Sequence, residues 1–293
     1  MSGARRSRRL IMGLETLLGF RPRGFFIPYR YASRQPPLPA RDAYPAMAGL
    51  LAEAEPAMAA VIAALAGFAG DLRAIAPEGG PPEPRWNQDW FPGLDAAAAY
   101  TILRMRRPKR VVELGSGHST RFLIRALRDG ALDTALTAVD PAPRAPLDGL
   151  PVTHLAMTLQ ELGSAATPIA ALETGDVLFV DSSHVLMPGS DVDRLIADVL
   201  PALPGGVLVH IHDIFLPDDY PADWRWRGYN EQSAVAALMA GGAFEILFAS
   251  HYLRRCAPRL LVEIPAGIAP TPPGAHESSL WLIKTGSRAI TGK

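Results

Sequence analysis

From Lys109 onward, short apolar runs alternate with stretches of helical periodicity. RVVEL, LTAVD, VTHLA, DVLFVD, GVLVHIHD, FEILFAS and SLWLIKT read as strands, and TRFLIRALR, DVDRLIADVL and QSAVAALMA read as helices between them. Strands that are apolar at nearly every position are buried on both faces. Their alternation with helices predicts a parallel sheet covered on both sides. The last two runs, Phe244–Ser250 and Ser279–Thr285, are separated mainly by loop and are expected to close the sheet as an antiparallel pair. The expected architecture is α/β, with a mostly parallel seven-stranded sheet.

Upstream the pattern differs. AMAGLLAEAEPAMAAVIAALAGFAGDLRAI is rich in Ala and Leu and predicts helix, broken or kinked at Pro56. A loop, Ala76–Trp86, and a helix, Leu94–Arg106, lead to the first strand. Before them Pro36–Pro45 reads as a linker. The expected division is a basic arm and linker over 1–45, a helical extension over 46–108, and the main α/β domain over 109–293. The arm, ARRSRRLIMGLETLLGFRPRG, is basic, then apolar, then basic again. Glu15 interrupts the apolar run and Arg21 and Arg23 follow closely, which argues against a secretory signal. No apolar run approaches the roughly 20 residues of a membrane span. The arm is expected to be solvated and to pack on its own domain. Contact with an anionic membrane surface is the alternative for such a basic amphipathic segment.

Charge narrows the partners. Lys+Arg and Asp+Glu both number 29, so nothing in the overall balance argues for nucleic acid. A single cysteine, Cys256, excludes a disulfide framework and a cysteine-based zinc site, and points to a reducing, cytoplasmic compartment. Arg254 and Arg255 beside it could lower its pKa, but a lone thiol reads as structural.

Candidate chemistry starts at VVELGSGHST, Val111–Thr120. A strand runs into Glu113 and then into glycines, Gly115 and Gly117, around Ser116. Glycines there allow a sharp turn and close approach of a ligand. Thr120 stands where a dinucleotide-binding loop has its third small residue, and Glu113 would repel a phosphate. Asp140 ends the second strand, where a carboxylate suits two ribose hydroxyls. A nucleoside ligand with positive charge and no phosphate fits these features, and S-adenosylmethionine is such a ligand.

The order E-x-G-x-G, an acid after the second strand and VDSSH after the fourth resembles the class I S-adenosylmethionine-dependent methyltransferases. VVELGSGHSTRFL, FVDSSHVLMPGSDVDRLIADVLPALPGGVLVHIHDIF and NEQ are most similar to the bacterial methyltransferase family 24 group. The resemblance covers roughly Asn87–Lys284. It implies a Rossmann-like fold, with Glu113, Gly115, Ser116, Gly117, Asp140 and Asp181 in the cofactor region. A catalytically silent nucleoside-binding domain and an NAD-dependent oxidoreductase are the alternative readings.

A second cluster lies at two later strand ends. Asp181 ends DVLFVD with His184 three residues on, and His210, His212 and Asp213 end GVLVHIHD. If the two strands are neighbours, Asp181 and Asp213 share a crevice and could hold Mg²⁺ or another divalent cation. His184 is then the candidate base, with Asp181 and Asp213 beside it. The arrangement is similar to metal-dependent sugar and catechol O-methyltransferases. His212 departs from that pattern, because some of those enzymes carry an acid there, and it points to a softer ion or to none. His210 reads as a satisfied strand histidine. The segment LPDDYPADWRWRGYNEQ comes next in the chain, and Trp226, Tyr229, Asn230 and Glu231 are candidate contacts for a small-molecule or saccharide acceptor.

Overall fold

The computed structural model describes residues 3–34, 44–163 and 167–286; the proline-rich linker expected at Pro36–Pro45 lies almost wholly outside them. The chain forms two compact units. One comprises Met1–Asp42 with Asp219–Tyr229, and the other Ala43–Asp218 with Asn230–Lys293.

In the first unit the arm is helical as α1, Gly3–Leu17. Gly19, at φ +74, turns the chain at the helix end, where the Phe20 and Arg21 amides both donate to the Glu15 carbonyl. Residues 20–23 fold back so that the Arg23 amide donates to Thr16 Oγ1 (2.9 Å) and its guanidinium pairs with Glu15 (2.9 Å).

The second unit holds the sheet. Its strands are β1 (Arg110–Leu114), β2 (Ala135–Val139), β3 (Thr153–Leu155), β4 (Val177–Val180), β5 (Leu208–Ile211), β6 (Phe244–Ala249) and β7 (Leu280–Lys284). Their order is β3-β2-β1-β4-β5-β7-β6. All pairs are parallel except those of β7, which runs antiparallel to both β5 and β6. The mostly parallel seven-stranded sheet and the closing antiparallel pair are thus as the pattern predicts. The core strands are apolar throughout because both faces are covered: every residue of β4 and β5 is buried.

Helices of the upstream region share this core. α2 (Pro45–Glu53) and α3 (Glu55–Gly67) meet at a 54° bend at Ala54, with Pro56 in the first turn of α3, where a proline lacks no needed amide. Met47, Leu51, Met58, Ile62 and Leu65 are buried in the same core as the strands. After the short α4 (Ala69–Arg73), α5 (Gly93–Arg106) is buried from Gly93 through Leu103, so it is a central helix rather than a surface one. It stops at Arg107, in a left-handed conformation before Pro108. α6 (His118–Asp129) comes after β1 and packs on α5. The remaining α-helices among the described residues are α7 (Asp191–Arg194), which runs through a π-helical stretch, Leu195–Val199, into α8 (Leu200–Ala202), and then α9 (Glu231–Ala240) and α10 (Ser250–Arg255). Among the described residues no single helix is long and apolar enough to cross a membrane.

Strand register brings the candidate residues to one edge. Leu114 is level with Val139 and Val180, and Val180 with Ile211. The next residues, Gly115, Asp140, Asp181 and His212, therefore leave the sheet side by side at its carboxyl edge, where ligands bind in open parallel sheets.

Candidate active site at the carboxyl edge of the sheet

The loop after β1 is braced from beneath. Glu113 is fully buried and accepts from Ser119 Oγ (2.6 Å) and Thr120 Oγ1 (2.7 Å), while Thr120 Oγ1 accepts from the Gly117 amide (2.9 Å). Thr120 thus closes the loop with its hydroxyl, which a third glycine would lack. Burial pushes the Glu113 carboxyl up to about 8, the two hydroxyls opposing it. At neutral pH it is largely protonated, so the phosphate repulsion expected from its charge is weak. Both its oxygens serve the loop.

The glycines answer first to the protein. Gly115 has φ +77, and a Cβ there would lie 1.9 Å from the Asp181 carbonyl oxygen. The loop runs against the end of β4 so closely that no side chain fits. At Gly117 a Cβ would meet the Ala145 amide and the Arg144 side chain at 3.3 Å. Asp140 ties the edge together: its Oδ2 accepts from the Ser116 amide (2.7 Å) and hydroxyl (3.1 Å), and its Oδ1 from the Ala142 amide (2.8 Å). The carboxylate remains partly exposed. Ser182 Oγ, next to Asp181, is buried without a hydrogen-bond partner among the described residues.

β4 and β5 are neighbours, so the second cluster converges. Asp181, His212 and Asp213 each offer a ligand atom, all within 4.8 Å of one another. His184 joins them: Nε2 lies 3.2 Å from Asp181 Oδ1 and 3.4 Å from Asp213 Oδ2. His212 Nδ1 lies 3.6 Å from Asp181 and 3.5 Å from Asp213. His184 and Asp213 are both held at positive φ, +59 and +57.

Each histidine has a buried carboxylate at its far nitrogen. His184 Nδ1 is 2.9 Å from Glu231 Oε2, and His212 Nε2 is 3.3 Å from Asp95 Oδ2. A carboxylate accepts, so those nitrogens carry the hydrogens, and His184 Nε2 and His212 Nδ1 face the two aspartates. Burial alone would favour neutral rings, but Asp213, Asp181 and Glu231 raise His184 well above its usual pKa, and Asp213, Asp181 and Asp95 do the same for His212. Burial likewise works against an ionised Asp181, but His212 and His184 outweigh it and hold that carboxyl well below its usual value. Burial raises Glu231.

Asp95 belongs to no motif in the sequence. It sits in the first turn of α5, fully buried. It accepts from the Ser250 hydroxyl, the Ser279 amide (3.0 Å) and the Ser278 amide (2.9 Å) besides facing His212. The available signal was one acid in the otherwise uncharged stretch GLDAAAAYTIL.

The other candidates separate. His210 stacks on Phe179 with ring centres 3.7 Å apart, bonds Ser279 Oγ (2.9 Å), and has its pKa driven well down by burial and by His212: it is a neutral core histidine. Glu231, expected to meet an acceptor, is buried behind His184 instead. Asn230 clamps the loop between β4 and α7, with Oδ1 accepting from the Leu186 amide (2.6 Å) and Nδ2 donating to the Leu186 carbonyl (3.3 Å). Trp226 and Tyr229 belong to the first unit, where the Arg227 guanidinium lies over the rings of Trp224, Trp226 and Tyr229. The Cys256 thiol is raised by burial and then by Asp218, against the lesser pull of Arg255.

Residues 112–214 match the profile of a family described as a methyltransferase domain, methyltransferase family 24. No curated protein matches the chain significantly. Among solved structures, the chain is similar to the O-methyltransferase TomG from Streptomyces achromogenes in complex with S-adenosylmethionine (16% identity, 76% of this chain and 90% of that one, TM-score 0.41). It is also similar to a Podospora anserina methyltransferase bound to S-adenosylhomocysteine (16%, 76% and 88%, TM-score 0.39) and to CmcI (14%, 66% and 71%, TM-score 0.41).

Proposed function

We propose that the chain, whose residues 112–214 match a methyltransferase domain, transfers the methyl group of S-adenosylmethionine to a hydroxyl of a small-molecule or saccharide acceptor with the help of a divalent cation. The observation that carries this reading is the convergence of Asp181, His184, His212 and Asp213 one strand over from the glycine loop.

S-adenosylmethionine supplies a methyl group already activated on a sulfonium, so the protein's tasks are alignment and proton removal. Gly115, Ser116 and Gly117 would border its methionine part, and Asp140, partly exposed beside Ser116, would take ribose hydroxyls. The unpartnered Ser182 hydroxyl supports a polar ligand at this edge.

The donor set also fits a cation. Two carboxylates and two imidazole nitrogens face one another, and each ring is oriented by a buried acid, as in many metal centres. Mixed nitrogen and oxygen donors suit Mn²⁺, Co²⁺ or Zn²⁺ better than Mg²⁺. Asp181, His212 and Asp213 would hold the ion, whose contribution is to acidify and orient a bound hydroxyl. A cation held there would oppose the pull of the two aspartates on His184, so that Nε2 can accept the acceptor's proton, while Glu231 keeps the ring in the required tautomer. Asn230 fixes the loop that follows His184 through the Leu186 backbone.

Calorimetric titration with S-adenosylhomocysteine, with and without Mn²⁺, tests both parts. Absence of S-adenosylhomocysteine binding would remove the methyl-transfer reading. Full turnover of hydroxyl acceptors after EDTA treatment would remove the cation and leave the transfer standing.

A further inference from the structure

Exposed large apolar side chains concentrate in one short segment. Leu10, Ile11, Leu14, Leu17 and Leu18 are all exposed, and so are Phe20, Phe25, Phe26 and Ile27, with Phe20 reaching 79%. Tyr29 and Tyr31 come next, ring edge to ring face at 6.0 Å. Elsewhere the described residues expose only scattered examples, Trp90, Met105 and Val262. Scattered cases need no explanation, whereas a contiguous apolar patch marks an interaction surface.

The pattern within α1 is one-sided. Leu10, Leu14, Leu17 and Leu18 fall at spacings of four, seven and eight residues, and Ile11 lies one position round the same stripe. Phe25, Phe26 and Ile27 continue the apolar surface beyond the fold-back at Arg23.

Charge says what the stripe faces. Residues 1–34 contain eight arginines and one acid, in a chain whose overall balance is zero. That acid, Glu15, is already paired with Arg23. We propose that this segment, residues 3–34, docks on an anionic membrane surface, with its leucine and phenylalanine side chains entering the headgroup region and its arginines meeting lipid phosphates and carboxylates. A nucleic acid would use the arginines but offers no place to bury five aliphatic side chains of one helix face. A surface of anionic lipid uses both features at once. Tyrosines 29 and 31, apolar in body and polar at the tip, suit the same boundary. Membrane docking of the arm does not depend on the methyl-transfer reaction or on its acceptor.

The test is flotation or sedimentation of the full chain with vesicles of phosphatidylcholine alone and of phosphatidylcholine with phosphatidylserine. Binding is expected with the anionic vesicles and to be roughly tenfold or more weaker with the neutral ones. Leu14→Asp combined with Phe26→Asp should abolish it, and Arg8→Gln with Arg21→Gln and Arg30→Gln should weaken it strongly. Unchanged circular dichroism in these variants shows that the fold is intact. Failure of the wild-type chain to bind anionic vesicles overturns the proposal. Binding that survives the apolar double variant also overturns it, because attraction is then charge alone. Self-association in analytical ultracentrifugation, lost in the double variant and without vesicle binding, overturns it in favour of a second copy as the occupant.

Discussion

The carboxyl edge of the sheet and the N-terminal arm invert each other's rules. At the edge, charged residues are buried: Asp95, Glu113, His184, His212, Asp213 and Glu231 are nearly inaccessible, and each is held by named partners. In the arm, apolar residues are exposed and the one acid is spent on an arginine. Ionic groups leave water only when the fold supplies partners for them, which demands precise long-range placement. Exposed leucines demand nothing of the fold and ask for an external partner instead. Substitutions in the two regions should therefore fail in different ways.

Gly115→Val should have the largest effect. Its Cβ would strike the Asp181 carbonyl at 1.9 Å in a backbone conformation that valine avoids. The expected cost is about 3 kcal/mol or more, with S-adenosylhomocysteine binding lost, as read by urea unfolding and calorimetry. Asp95→Asn keeps the shape but weakens the acceptor behind His212. We expect about 2–3 kcal/mol of stability lost, and Mn²⁺ affinity reduced by about 10- to 100-fold. If Mn²⁺ affinity is unchanged while stability falls, Asp95 serves the fold alone.

Glu113→Gln sharpens the comparison through pH. Burial raises the native carboxyl from its ordinary 4.5 to about 8, so the folded state holds this proton more tightly than the unfolded chain. Its contribution is fully present below the unfolded value and declines as pH rises from about 4.5 to about 8. Urea melts across that window should show the wild type losing up to a few kcal/mol from this group. The variant should show a flatter profile; equal slopes would mean that Glu113 is ionised in the native state. Smallest of all should be the stability change of Leu17→Asp, within about 0.5 kcal/mol, because this side chain is exposed. A larger loss in a thermal melt would mean that the arm's stripe is part of the fold.

Much of the fold was legible because its cause is local. Apolar runs gave the strands, Pro56 marked the α2–α3 break, and the closing pair at Phe244 and Ser279 could be read from two adjacent runs. Asp181 and Asp213 could be named because strand ends in parallel sheets are predictable places. What the sequence hid depends on distance along the chain. Nothing near Asp95 announces Ser278 and Ser279, 183 and 184 residues away. The glycines at 115 and 117 looked like room for a ligand, yet their nearest neighbours are backbone and side-chain atoms of the protein. Glu231 read as an acceptor contact, because the turn that carries it back to His184 has no signature of its own.

The placement of β7 has a consequence for biosynthesis. It is made after β6 yet lies between β5 and β6, and the residues just before it supply the amides that hold Asp95. A nascent chain that has emerged only as far as His276 would have β5 as an open edge, and Asp95 would lack two of its donors. The histidine–aspartate cluster can reach its final geometry only after Ser278–Lys284 leaves the ribosome. Until then β5 would present an unpaired edge, the kind of surface that invites pairing with another chain.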